Sequence, residues 1–547
     1  MHKHKYAMTQ TRTVFAKIFA MALVMGLLPL RAQVSLPALI STVIAPSPAA
    51  QFWSAAEIAR SPMVADSVFV RIDSVALLAV PMTHEQPLAA FDLDLIGEHF
   101  TLNITSLEWV VGYRVLNGTV PGLNSEIHLT LSGSGAVWGS IEIESRTFII
   151  AYTGVADVHV VQRIDASRLP AGMRCGINAT HAVSAPATGQ PDTASNTNCG
   201  LTTVDLLVVY TPLSRQNAGG VAAIETAIVG AIAQANGSFI NSGVSIQFRL
   251  VHMQEVNYLE TGSSADLSVL QNPTDGVLDE VQVLRQDYGA DLVQMVTDPS
   301  AAQYCGIGYL MTNLSTGFSP FAFGVTVRTC ISNKSMTHEC GHNMGCHHDI
   351  ANAGPAIYPY SYGYRTPDNV YRTIMSYAPG ARVNLWSGPN VQYLGYAMGV
   401  AGSADNVLSL QNTNATVANF EITKAPIFCD LGGGIASSIG VPTLTGSGTM
   451  NLVQPIELTI RNFDNRSLAM IIIGASSLNQ SIFGGVLVPS PDIVLGLIGN
   501  GSQAVYNANW MANFRPGYQV WFQAALLGGT SPLGVSASDA LKVTIPG

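Results

Sequence analysis

The hydrophobic and polar positions of this chain change rhythm twice and so divide it into three stretches. From Gln33 to about Arg174 apolar and polar residues alternate in short runs, such as FTLNITSLEWVVGYRVL and EIHLTLSGSGAVWGSIEIESRTFIIAYT, broken by Gly, Asn and Ser. A period of two is the signature of strands, so this stretch is expected to be an antiparallel β region. It holds no cluster of His, Cys or paired acids and reads as packing rather than chemistry. The stretch Gly176 to Gly200 has no aliphatic periodicity and is rich in Ala, Thr, Ser, Pro and Asn, the composition of an exposed linker. Beyond it the rhythm becomes mixed. TVDLLVVYT (Thr203 to Thr211) is a continuous apolar run suited to a strand buried on both faces. AAIETAIVGAIAQANGSFI carries helical periodicity, VSIQFRLVHM returns to strand, DGVLDEVQVLRQDYG fits a helix and DLVQMVTD a strand. Alternating strands and helices predict an α/β unit with a mostly parallel sheet. GIGYLM and FGVTVRT follow as short strands, and NKSMTHECGHNMG as a helix. After about Thr423 helical periodicity stops, and short apolar runs separated by Gly, Asn and Ser predict a C-terminal β-sandwich.

Composition narrows the class. A chain of 547 residues exceeds one core, and 48% hydrophobic against 11% charged residues marks folded rather than disordered protein. The net charge of -10 and the lack of any Lys/Arg block argue against a nucleic-acid partner. His2, Lys3, Lys5, Arg12 and Lys17 precede the apolar run Ile18 to Leu30, and a small residue, Ala32, follows. That is the pattern of a secretory signal over residues 1–32, too short and too soon broken by Pro29 for a membrane anchor. No other stretch is long and apolar enough to span a membrane. A secreted protein, extracellular or periplasmic, is expected, and its seven cysteines meet an oxidising setting.

The candidate chemistry sits in THECGHNMGCHHD, Thr337 to Asp349, which packs four histidines, one glutamate and two cysteines together. His338 and His342, four apart on a helix, lie on one face and can share a metal ion, with Glu339 beside them as general base for a zinc-activated water. Gly345 is expected to end the helix in a left-handed turn that brings His348 back as third ligand. Three protein ligands leave one position for water, as a catalytic zinc requires. Cys340 sits at the wrong helical angle for a ligand and is read with Cys346 as scaffold, paired with it or buried. His347 is the rival third ligand and is expected to be exposed or hydrogen-bonded instead.

The run from His338 to His348 is H-E-x-x-H-x-x-G-x-x-H, and it resembles the signature of the metzincin zinc endopeptidases. Asn343 and Asp349 resemble the adamalysin/reprolysin branch. TIMSY (Thr373 to Tyr377) is similar to the methionine turn of these enzymes, which implies that Met375 is a hydrophobic floor beneath the imidazoles. VDLLVVYTP, ANGSFINSGV, ADLVQMV and YCGIGYLM resemble bacterial secreted reprolysin-like peptidases, so the likeness covers roughly Thr203 to Glu421. Met375-Ser376-Tyr377 matches the Met-x-Tyr of astacins and serralysins, in which the Tyr assists the zinc site; a catalytic role for Tyr377 is carried over from that branch.

The resemblance implies a secreted zinc endopeptidase with one catalytic Zn2+, acting on protein or peptide substrates and made as a latent proenzyme. The implied order is a signal peptide (1–32), a β-rich prodomain (33–175), a linker (176–200), an α/β metzincin-like catalytic domain (201–423) and a C-terminal β-sandwich (424–547). The alternative is a secreted adhesion or surface-binding protein with a silent metal site. Gly306 to Met311 is the expected sheet edge for substrate. Arg372 or Arg382, near the methionine turn, could supply a counter-charge to acidic substrates, or be solvated surface residues. No D-x-D-x-D-G loop is present, which leaves calcium undecided. Cys305 and Cys330 flank two strands before the active helix and are expected to form a disulfide. Arg174-Cys175-Gly176 resembles the cysteine switch of matrix metalloproteinase and adamalysin prodomains, which would make Cys175 the group that blocks the metal. The other six cysteines could then pair as Cys305–Cys330, Cys340–Cys346 and Cys199–Cys429; a Cys175–Cys199 bridge is the alternative.

Overall fold

The computed structural model describes residues 36–81, 86–170, 175–178, 197–198 and 200–437, and 440–545 apart from 448–455, 464–466, 498, 501–502, 509–513, 516 and 529–533. The expected signal segment lies outside the described residues.

The first stretch forms the expected antiparallel sheet, nine strands in the order Ile40–Thr42, Val64–Ile72, Val158–Ile164, Arg146–Val155, Val137–Ile143, Ser125–Leu131, Tyr113–Thr119, Glu98–Val110, Ala89–Leu95. Its alternating apolar residues build a core of their own around Leu93, Leu102, Ile104, Ile127 and Phe148. A helix, Pro48–Arg60, is an addition that strand periodicity did not predict. Ser47 starts it by accepting a hydrogen bond from the Ala50 N–H, and Pro48 sits at its first turn, where no N–H is needed.

The middle stretch is the α/β unit. Leu201–Tyr210 is its central strand, parallel to Ile246–Glu255 on one side and to Leu292–Thr297 on the other. Phe323–Val327 continues the parallel sheet, and Gly306–Tyr309 then pairs antiparallel with it. The long helix Val221–Ser242 is apolar around most of its circumference because it lies between two sheets, packing on the strands of both the N-terminal and the middle stretch. Small residues make that close approach possible. A Cβ at Gly230 would fall 2.1 Å from Trp138 Cε3, so the indole of the N-terminal sheet occupies the notch that glycine leaves. Val115, Trp138 and Ile149 of that sheet accordingly belong to the same core as Val208, Ile228 and Met295.

Polar ties reinforce this contact. Arg328 is buried between Glu57 and Asp298, at 2.5 and 2.8 Å, and Lys334 Nζ lies 2.8 Å from Glu142. The expected linker is shorter than its composition suggested: Gly176–Asn178 forms a strand, and Thr197–Asn198 pairs with Leu201–Thr202. Backbone pairing with an existing sheet edge overrides a composition poor in aliphatic residues. Past the helix Asn406–Val417 the chain is β-rich again, in a six-stranded and a four-stranded sheet whose Ile471, Phe522 and Val543, and Ile456, Leu458 and Ile460, share one core. Among the described residues no single helix is long and apolar enough to cross a membrane.

Candidate metal centre

The helix Ser335–Asn343 presents His338 and His342 one turn apart. Its end is a complete Schellman turn. The Cys346 N–H donates to Gly341 O at 2.9 Å and the Gly345 N–H to His342 O at 3.0 Å, with Gly345 at φ 89°, the left-handed region that glycine enters without steric cost. The chain therefore reverses and returns as the short strand His347–Asp349, placing His348 opposite the helix.

Three Nε2 atoms converge there. His348 Nε2 stands 3.0 Å from that of His342 and 3.1 Å from that of His338. The opposite nitrogens fix the tautomers: His338 Nδ1 donates to Ile374 O and His342 Nδ1 to Cys346 O, each at 2.8 Å, which leaves the Nε2 lone pairs facing inward. Burial, the largest cause, lowers all three imidazole pKa values, that of His342 to about 3, so the rings stay neutral. Lone pairs this close repel unless a cation lies between them. A zinc ion with Zn–N bonds of roughly 2.0–2.1 Å suits nitrogens at such spacing, so this donor set fits the metal.

Glu339 is fully buried beside the histidines, and among the described residues only the Cys175 thiol adjoins its carboxylate as a hydrogen-bonding neighbour. Burial raises its pKa well above the ordinary carboxylate range, opposed by the adjoining Cys175 thiol and by Arg382. Glycines give it room. A Cβ at Gly306 would sit 2.4 Å from Glu339 Oε1, and one at Gly308 3.3 Å from Oε2. The G-I-G spacing of the edge strand is the sequence signal for this cradle, and hydrophobic patterning alone passes over it.

The turn Thr373–Tyr377 closes the site from below. Met375 is fully buried, and a Cβ at Gly341 would fall 2.7 Å from its Sδ, so the sulfur packs against the helix where only glycine fits. The Tyr377 ring lies 4.1 Å from that of His348, and its hydroxyl donates to the Cys175 carbonyl. Asp349 ties this turn to the ligand segment, accepting from the Tyr377 N–H at 3.0 Å and from Ser376 Oγ at 3.2 Å. Asn343 Nδ2 donates to Tyr309 O and Phe323 O, joining the helix to the sheet edge. Sequence reading singled out both residues only as family marks, not for these contacts.

Cys175 is a buried free thiol, which removes the alternative of a Cys175–Cys199 bridge. Its Sγ lies within 4.8 Å of ligand atoms of His338 and Glu339. The strand that follows it, Gly176–Asn178, pairs parallel with Gly306–Tyr309. Cys305 and Cys330 are bonded as expected. Cys340 and Cys346 are not: both are free and packed in the core as small apolar side chains, on either side of the Gly345 turn, so that pairing is corrected. Cys429 is disulfide-bonded, while Cys199, its expected partner, lies outside the described residues. His347 stays out of the cluster, its Nδ1 accepting from the His348 N–H at 2.8 Å. Arg372 and Arg382 are buried, not solvated, because both are folded in beneath the methionine turn to donate to its carbonyls.

A parallel-sheet unit whose edge strand overlies a three-histidine centre with a buried glutamate defines the class of a metallopeptidase. The model of metallo-peptidase family M12 matches residues 200–387. The peptidyl-Asp metalloendopeptidase of Stenotrophomonas maltophilia is 33% identical over 310 residues, 55% of this chain and 71% of that protein. The protein of the same name from Xanthomonas campestris is 33% identical over 56% of this chain and 72% of its own length. One from Pseudomonas aeruginosa is 31% identical over 41% of each chain. The chain belongs to the M12 metallopeptidase family, as a zinc metalloendopeptidase of the reprolysin-like type.

Proposed function

We propose that the protein is secreted as a latent proenzyme and, once processed, hydrolyses peptide bonds beside acidic residues, with His338, His342 and His348 holding one zinc ion. The observation that carries this reading is the convergence of three imidazole Nε2 atoms beside a fully buried carboxylate. When bound, the ion supplies a Lewis acid that polarises the scissile carbonyl and makes water acidic near neutral pH. Everything else falls to the chain's own side chains. Glu339 takes the proton from the attacking water and returns it to the leaving amine, a task suited to a carboxyl whose pKa burial has raised. The strand Gly306–Tyr309 offers backbone groups to a substrate lying extended along it. The Tyr377 hydroxyl already donates to one carbonyl at this place, that of Cys175, and in turnover donates to the substrate oxygen as negative charge develops. The acidic preference is carried over from the names of the relatives.

Latency is supported by what covers the site. Cys175 and the strand after it lie where a substrate would lie, and the thiol takes the place that water and the scissile carbonyl need. In this reading residues 1–32 are the export signal, 33–178 the latency region, 179–200 the segment whose cleavage starts activation, 201–423 the catalytic domain and 424–547 a C-terminal module. Casein hydrolysis by the processed protein tests the chemistry. Activity should vanish with a chelator and fall by about 10²–10⁴ in Glu339→Ala. Retained activity in that variant ends the mechanism. Cys175→Ser in the full-length chain should raise activity before any cleavage, and unchanged latency removes the role of the thiol.

A further inference from the structure

Beneath the methionine turn the chain buries two guanidinium groups that, among the described residues, form no ion pair. Arg372 and Arg382 are both more than nine-tenths buried. Arg372 donates to Gly380 O at 2.8 Å and to Ser376 O at 2.5 Å; Arg382 donates to Asn333 O at 2.8 Å and to Ser376 O at 3.3 Å. Two cations thus meet at one carbonyl, and Arg382 Nε donates to no nitrogen or oxygen among the described residues. The carboxylate that acts on Arg372, Asp349, is already engaged by Ser376, Tyr377 and Asn352, and the one that acts on Arg382 is Glu339 of the reacting position. Burying like charges side by side is costly, and an anion brought beside them would offset that cost.

The location says which anion. The charge of Arg382 acts on Cys175, Glu339 and Tyr377, the groups that surround the reacting position. Lys334, at the start of the active helix, lies 3.5 Å from Arg382 O and extends the basic wall. In the latent chain the N-terminal region supplies what this wall lacks. Cys175 brings its sulfur to Arg382, and Glu142 reaches across from the nine-stranded sheet to Lys334 at 2.8 Å. Glu142, Lys334 and Arg382 line one cavity of about 730 Å³ between that sheet and the methionine turn. Departure of the N-terminal region would leave Lys334 and Arg382 facing an open cleft, with Arg372 behind them.

We propose that Arg382, backed by Arg372 and Lys334, is the subsite that takes the carboxylate of an acidic residue flanking the scissile bond, and that the N-terminal region occupies this subsite in the latent chain. The inference rests on the metallopeptidase reading and adds the residues that read the substrate. A guanidinium offers a planar pair of N–H donors that matches a carboxylate and cannot be satisfied by the isosteric amide. Discrimination between Asp and Asn is therefore the property this subsite controls.

The test uses the full-length chain after processing, with peptides differing only in Asp, Asn or Ala on either side of the cleaved bond. The wild type should favour Asp over Asn by at least 100-fold in kcat/KM, and Arg382→Gln should cut that ratio at least tenfold, with Arg382→Lys between them. A merely structural arginine would lower turnover of all peptides together and leave the ratio intact. If Arg382→Gln does not fold, competition on the wild type decides: N-acetyl-aspartate amide should inhibit cleavage of the Ala peptide, and N-acetyl-asparagine amide should not. An unchanged ratio in folded Arg382→Gln, or equal inhibition by the two amides, overturns the subsite. A wild type that cleaves all peptides equally overturns it while the peptidase reading stands, whereas an inert wild type removes both.

Discussion

Single atoms decide whether this centre can form. Gly306 is a residue whose side chain matters by being absent. The Cβ of an alanine there would press to 2.4 Å on Glu339 Oε1, and the strand cannot retreat because it is bonded to Phe323–Val327. Gly306→Ala should cost about 1–3 kcal/mol of stability through overpacking and turn the carboxylate out of its position. Melting and casein turnover measured together check this; an alanine variant with normal activity would show that Glu339 has freedom its burial denies. The histidines and the glutamate were legible in the sequence because their spacing has only one geometric solution on a helix. Arg372 and Arg382 were harder to read. Nothing in a linear pattern tells a buried cation from a solvated one, since the burial comes from carbonyls brought close by the folded turn.

At the scale of elements, the active helix depends on the two segments that precede it. Cys305 and Cys330 close a loop with a sequence separation of 25 that contains the edge strand and its neighbour. By loop-closure entropy, removing that link costs about 3.5 kcal/mol. Cys305→Ser with Cys330→Ser should melt earlier by that amount and lose zinc content on heating before global unfolding; a variant as stable as the parent would place the stabilisation elsewhere. Periodicity identified the strands of the parallel sheet and the long helix well, because both are driven by continuous apolar burial. It does not reach the helices Pro212–Ala218 and Ala265–Gln271, of seven residues each, or Asn406–Val417, whose sequence NVLSLQNTNATV is rich in Asn, Thr and Ser. The strand Gly176–Asn178 was taken for linker for a related reason. Among the described residues it pairs with another edge, and a residue pattern records burial rather than pairing.

For the whole molecule, the N-terminal region is a second fold resting on the first, and acid should loosen it. His159 is buried in its sheet, its Nε2 accepting from the Val137 N–H at 3.0 Å. Burial lowers its pKa to about 4, against 6.5 for an ordinary imidazole. The unfolded chain therefore binds a proton that the folded one refuses. The resulting stabilisation, about 3 kcal/mol, is complete above pH 6.5 and is lost as pH falls toward 4. Hydrogen exchange of Val137–Ile143 in the full-length chain should speed up across that window; protection that holds steady down to pH 4.5 would refute the argument. The indole of Trp138, lodged in the notch at Gly230, gives this event an optical signature. When the sheet lifts away, an aromatic chromophore passes from a dry slot into water, so its fluorescence should move to longer wavelength as the site opens. Because the chain has six tryptophans, Trp138→Phe is the control that assigns the shift to this indole. The proposed release of the N-terminal region would then be followed in real time by light alone, with no peptide added.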